Sequence, residues 1–209
     1  MNREKLLNGS ITKSLLMVAV PIIFANILHT VYQLIDTFWV GRLGVEAVAA
    51  VSLSFPILFF LMSLAMGLLT ASSILVAQYN GKGDHDKVSS TVGQSLSLII
   101  ILAIILSVIG YFSSHYLLSL LTKDITVLQQ ATSYLQISFL AIIAIFVYIL
   151  FQSSLRGVGE VKVPLIIISI TVVLNFFLDP VLMFGWRFIP AMGVSGVALA
   201  TLITEYLSA

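Results

Sequence analysis

Two short stretches carry acid and amide side chains where the surrounding sequence is apolar. The first runs from Asn26 to Thr37 and contains Asn26, His29, Thr30, Gln33, Asp36 and Thr37. At about 100° per residue, Asn26, Thr30, Gln33 and Thr37 share one narrow helical stripe, with His29 and Asp36 along its edge. The second is Asn175-Phe-Phe-Leu-Asp179-Pro180. Asn175 and Asp179 are spaced i,i+4 and so share a helix face. Pro180 has no N–H to offer the carbonyl of Phe176, which leaves that oxygen free beside the carboxylate. Two carboxylates, an amide and a loose carbonyl suit a proton or a hard cation such as Na⁺. Asp36, Asn175 and Asp179 are therefore the candidate cation ligands. A carboxylate inside an apolar helix reads as functional by default. The amides and hydroxyls have a second reading as interhelical hydrogen bonds, and Asp179-Pro180 has one as a simple helix end. His29 is the only histidine within an apolar stretch, and a lone buried histidine is more often structural. No two histidines have metal-ligand spacing, which speaks against a catalytic metal.

The elements that position these groups are delimited by the charges themselves. Of 209 residues, 59% are hydrophobic and 9% charged, against roughly 25% charged in soluble domains. Ten basic and nine acidic side chains cannot cover a soluble fold of this length. The composition excludes soluble enzymes, nucleic-acid binders and disordered chains. A net charge of +1 offers no field to a polyanion, and the absence of cysteine removes disulfide and thiolate chemistry. A polytopic, all-α membrane protein remains, its lipid bilayer being the first partner. The uncharged intervals predict helices at about 14–40, 47–79, 88–114, 125–155, 161–184 and 194–209. Each of the first four intervals exceeds the ~20 residues a crossing needs. The fifth crosses only by continuing past Asp179 and burying it. The sixth, about 24 Å at 1.5 Å per residue, falls short of a ~30 Å hydrocarbon core and reads as an incomplete helix. The first stretch outruns a signal-peptide core and is interrupted by polar residues, so an uncleaved helix is expected.

Lys and Arg distribute unevenly over the two sides. Arg3, Lys5, Lys13, Lys82, Lys87, Arg156 and Lys162 fall on one side, against Arg42, Lys123 and Arg187 on the other. The positive-inside rule then makes the N-terminus cytoplasmic in a multi-pass cell-membrane protein. On this topology Asp36 and Asp179 lie at roughly 33 and 27 Å of helix length from the inner ends. Tyr134 enters from the outer side and reaches a similar depth, so the three are able to meet. Pro21 and Pro56 interrupt the first two helices, freeing the carbonyls of Met17 and Ser52 and marking bends. The glycine-rich segments 80–84 and 156–160 lack the spacing and context of phosphate loops and read as tight turns.

In order and spacing these segments resemble the multidrug and toxic compound extrusion (MATE) family of cation-coupled antiporters. The resemblance is carried by Pro21-Ile-Ile, Asp36-Thr-Phe-Trp-Val-Gly41-Arg-Leu-Gly44 and Ala47-Val-Ala-Ala. It continues through Leu155-Arg-Gly-Val-Gly-Glu-Val-Lys-Val-Pro164, Asn175 to Pro180 and Gly193-Val-Ser-Gly-Val-Ala-Leu-Ala-Thr201. It implies a twelve-helix fold of two six-helix lobes, of which this chain is the N-terminal one, the other lobe or a second copy of the chain being the missing partner. It also implies cation coupling at the aspartate matching Asp36. In the branch resembling the DNA-damage-inducible transporters, Tyr134, Asn175 and Asp179 join Asp36 in a cavity, and Pro21 is where the first helix bends. Asn26, His29, Gln33 and Tyr134 are the expected cavity and substrate residues.

The expected function is efflux of a small amphipathic or cationic compound against inward Na⁺ or H⁺, with no other cofactor. A flippase of a lipid-linked precursor is the alternative within the same superfamily. It would be expected to line its cavity with Arg or Lys, and the predicted spans hold none in their interior, Lys162 standing at the very start of 161–184. A non-transporting membrane assembly subunit would not require two acids at matched depth. An enzyme would need a nucleophile–base or metal constellation, and none is visible.

Overall fold

In hydrocarbon a backbone has no water to bond, so long apolar runs fold as helices that satisfy their own N–H and C=O groups. The computed structural model describes residues 11–209. Arg3 and Lys5 of the inner-side charge count lie outside the described residues. Six helices follow in order: α1 (Ile11–Gly41), α2 (Val45–Lys82), α3 (His85–Ser119), α4 (Ile125–Gly157), α5 (Lys162–Phe184) and α6 (Val194–Ser208). The first five are long and apolar enough to cross a membrane, and α6 is a shorter apolar helix.

The connections are short because local chemistry stops each helix. Gly83 closes α2 with φ 78°, a left-handed conformation that costs glycine nothing. Its N–H donates to the carbonyl of Asn80, and that of Asp84 to Tyr79. Asp84 and Asp124 cap α3 and α4, accepting from the N–H groups of Lys87 (3.1 Å) and Val127 (3.0 Å). Helix α5 does not stop at Asp179-Pro180. Pro180 lies inside it and one further turn carries it to Phe184, so the proline opens a carbonyl within the helix and does not end it.

Helix α4 is the hub, packing on α2, α3 and α6, while α1 packs chiefly on α5. The α2–α3–α4 side is an apolar core built on Leu61, Leu69, Ile99, Leu135, Phe139 and Phe146. Phe139 is 1% exposed and lies against Gly110 of α3, where a side chain would overlap its ring. Two smaller clusters join the opposite side. Ala25 and Tyr32 of α1 meet Ile168 and Val172 of α5, and Val40, Ala47, Met183, Val194 and Val197 gather at the end where α1 and α5 finish. Gly196 lets α6 approach the backbone of Leu182 in α5 so closely that a Cβ would lie 2.6 Å from it.

Candidate functional site

Among the described residues, the α1–α5–α6 side holds the buried carboxylates that the apolar core lacks. Asn175 and Asp179 are both 0% exposed. One helical turn brings the Asn175 amide to its neighbour, and Asn175 Nδ2 donates to Asp179 Oδ1 at 3.2 Å. The same nitrogen donates to Tyr32 Oη at 3.2 Å, which ties α5 to α1. Tyr32 Oη in turn shares a 3.1 Å hydrogen bond with Thr204 Oγ1, bringing in α6. The Asp36 carboxyl, one turn above Tyr32 on the same face of α1, is turned toward Asp179 and Asn175.

What distinguishes this cluster is how many oxygens it leaves unmatched. Asp36 Oδ1, Asn175 Oδ1 and Asp179 Oδ2 are all buried with no hydrogen-bond partner. Orphaned buried polar atoms are rare and costly, of order 1–3 kcal/mol each. Three unpartnered acceptors on neighbouring side chains ask for something positive. The site holds two carboxylates, an amide oxygen, and hydroxyls at its floor. That donor set fits a proton or a hard monovalent cation. Among the described residues no group of three His, Cys, Asp or Glu forms a multidentate metal cage. The set is therefore a mixed one, with amide and hydroxyl oxygens completing what two carboxylates begin.

The remaining sequence-derived residues divide into four groups. Tyr134 of α4 faces Asp36 and Asp179 and packs against the apolar cluster where α1 and α5 finish. His29 is half-buried and lies toward Arg156 of α4, not toward the carboxylates. Asn26 and Gln33 are exposed on the uncovered face of α1 together with Thr30 and Thr37. The two threonine hydroxyls donate back to the carbonyls of Asn26 (3.1 Å) and Gln33 (2.8 Å). The stripe therefore does not join the carboxylate cluster. Asp36 lies at the boundary because it is about 100° around the helix from Thr37, toward the buried Tyr32. Pro21 is inside α1, half-buried, beside a cavity of about 230 Å³ that it lines with Met17 and residues 159–162.

Tyr32, Thr204 and Trp39 were not singled out from sequence. Tyr32 has the signal that could have found it, an i,i+4 spacing to Asp36 shared by no other aromatic on α1. Trp39 is three residues beyond Asp36 and packs on Phe176 and Phe184 of α5 at centroid distances of 6.1 and 6.2 Å. Its indole N–H is buried without a partner.

A lobe of membrane-length helices with acids gathered at one level between its first, fifth and sixth elements has the build of a membrane transporter. The MatE family profile matches residues 21–181, and the chain belongs to that family, whose members are transporters and not enzymes. It is 35% identical over 202 residues to the Bacillus subtilis (strain 168) protein named "Probable multidrug resistance protein YoeA", covering 96% of this chain and 44% of that protein. It is 33% identical over 198 residues to YpnP of the same organism, covering 94% and 44%. In structure it superposes with a TM-score of 0.89 and 26% identity on a MOP superfamily transporter from Pyrococcus furiosus, covering 100% of this chain and 45% of that one. The chain thus spans a little under half the length of these relatives. Its six helices correspond to one half of a MATE-type transporter.

Proposed function

We propose that this chain is the cation-coupling half of an efflux antiporter that exports small amphipathic or cationic compounds against inward Na⁺ or H⁺. The observation that carries this reading is the trio of unpartnered buried oxygens on Asp36, Asn175 and Asp179. Two carboxylates in an apolar surround do not both hold charge cheaply. A bound cation resolves the conflict and lets α1 settle against α5. Without the cation, α1 is free to move at Pro21. An antiporter follows if substrate and cation favour opposite arrangements of α1. Tyr134 closes the cation pocket from α4. The exposed stripe of Asn26, Gln33, Thr30 and Thr37 is costly against lipid. We assign it to the cavity that a second lobe, or a second copy of the chain, would cover, where it contacts substrate.

The test is cation-driven efflux in vesicles by the two-lobed transporter, normalised to protein in the membrane. Asp36→Asn should abolish the cation dependence while the amount of folded protein stays near normal, and Asp179→Asn should weaken it less. Wild-type efflux in both variants would reject the assignment.

The orientation has its own check. If the N-terminus is cytoplasmic, a Gly83→Cys variant in this cysteine-free chain should resist impermeant thiol reagents in intact cells. Strong labelling from outside would invert the topology.

A further inference from the structure

Below the carboxylate pair the polar groups do not stop. They continue as a ladder toward the inner end of the lobe. Thr204 and Glu205 are neighbours on α6, and α6 runs antiparallel to α5, so Glu205 lies on the inner side of the Tyr32–Thr204 bond. Ser208 Oγ reaches Glu205 Oε2 at 3.5 Å. The groups that face this carboxylate from other helices are Tyr32 and, more distantly, Asp36 of α1, and Tyr148 of α4. Tyr148 is 2% exposed and Gln152 4%. Gln152 Nε2 donates to Tyr148 Oη at 3.2 Å, and the Arg156 guanidinium donates to Gln152 Oε1. Arg156 lies in the last turn of α4, with His29 of α1 toward it.

Apolar helices do not assemble such a column by default, because each buried polar side chain costs free energy unless it is matched. Packing alone would be served by Leu or Phe at 148, 152 and 205. A carboxylate placed between a cation site and the inner surface, faced by hydroxyls and, among the described residues, by no lysine or arginine in contact, has the chemistry of a second resting place for a cation. We propose that Glu205 is an inner station for the coupling cation, filled from the Asp36–Asp179 pair past the hydroxyls of Tyr32 and Thr204. It empties toward the Tyr148–Gln152–Arg156 end of α4. This rests on the reading of Asp36 and Asp179 as the coupling site. The charge balance is simple. When the cation moves inward, the outer pair regains a negative charge and Glu205 loses one, so the lobe's net charge is unchanged until release. Beyond Glu205 the column consists of Tyr148, Gln152 and the positive Arg156, none of them an anion, so a cation that leaves Glu205 is released and not held again.

The experiment uses the whole chain in lipid vesicles with Trp186 replaced by Phe, so that Trp39, one turn from Asp36, is the sole tryptophan. External jumps of pH and of Na⁺ are applied separately, and the ion that changes Trp39 emission is the coupling cation. Because vesicles hold both orientations, the jump reaches the pair from the inner end in one population and from the outer end in the other, giving two phases. Glu205→Gln should leave the equilibrium change in place and slow one phase by about 10²-fold, the low end for removing a positioned carrier group. Glu205→Asp should recover much of the rate. If Glu205→Gln fails to fold, Glu205→Asp carries the test with a smaller slowing of the same single phase. Unchanged rates in both phases overturn the proposal, and so does loss of the equilibrium change, which would make Glu205 part of the pair itself. Asp36→Asn separates the two readings. A Trp39 response that survives it rejects the coupling site, whatever Glu205 does.

Discussion

The two sides of this lobe treat polar atoms in opposite ways. In the α2–α3–α4 core, the fully buried Ser54 and Ser114 spend their hydroxyls on their own helix. Ser54 Oγ donates to the carbonyl of Ala50 at 2.9 Å, and Ser114 Oγ to Gly110 at 2.6 Å. What is left without a partner there, the hydroxyls of Ser72 and Ser154 and the amide oxygen of Gln130, carries no charge. Between α1, α5 and α6, side chains bond across helices instead, and three oxygens are left with no partner. A back-bonded hydroxyl is chemically closed, whereas a cross-helix network with surplus acceptors is open to a cation. The core is built to stay as it is, and the other side is built to be completed.

The largest effect should come from breaking the closed side. Phe139→Ala removes a ring that is 1% exposed and seated on Gly110, and should cost about 3–5 kcal/mol. Thermal unfolding in detergent should show the loss. The Trp39 response to cation in the surviving folded protein should keep its midpoint, because Phe139 belongs to the other side of the lobe. A shifted midpoint would mean that the two sides are not independent.

On the open side the sign should reverse. Asp36→Asn replaces an unmatched carboxylate with a group that can also donate, and should stabilise the cation-free protein by about 1–3 kcal/mol, the usual cost of an unsatisfied buried group. Saturating cation should narrow or invert the difference, because only the parent gains binding free energy. Unfolding midpoints with and without the coupling ion measure both halves. Destabilisation in the absence of cation would show that Asp36 is a packing group and not a vacant ligand.

The helices were legible because nineteen charges among 209 residues leave few places for a loop, and backbone bonding in lipid allows little else. Asn175 and Asp179 were legible because their i,i+4 spacing is local. The polar stripe was legible as a stripe, but its direction was not. Asn26 and Gln33 face away from the bundle, while Asp36, on the same helix, faces in. A wheel gives relative angles, and only the neighbours in space say which angle is inside. The same limit hid Thr204. Its bond to Tyr32 spans 172 positions and depends on how α6 docks against α5 through Gly196. Arg156 is a related case. It sits at the edge of the 125–155 prediction, and the structure carries α4 through it to Gly157, placing a guanidinium in the last turn where it bonds Gln152.

The smallest effect sharpens the comparison most directly. Ser54 is 0% exposed, as are Asn175 and Asp179, so burial alone ranks it beside the site. Its hydroxyl, however, bonds the carbonyl of Ala50, four residues back on its own helix. Back-bonding of this kind contributes little and bends a helix slightly. Ser54→Ala should therefore change stability by less than about 0.5 kcal/mol and leave the cation response untouched. Thr204→Val is the matched change on the open side, similar in size and equally buried at 1% exposed, but it removes the partner of Tyr32. It should cost about 1 kcal/mol and move the cation midpoint, since Tyr32 also receives the Asn175 amide that positions Asp179. Equal effects for the two substitutions, read by unfolding and by Trp39 titration, would mean that depth and not connectivity sets the value of a polar group in this lobe. Unequal effects of the stated order would tie the difference to one variable, whether the hydroxyl bonds its own helix or another.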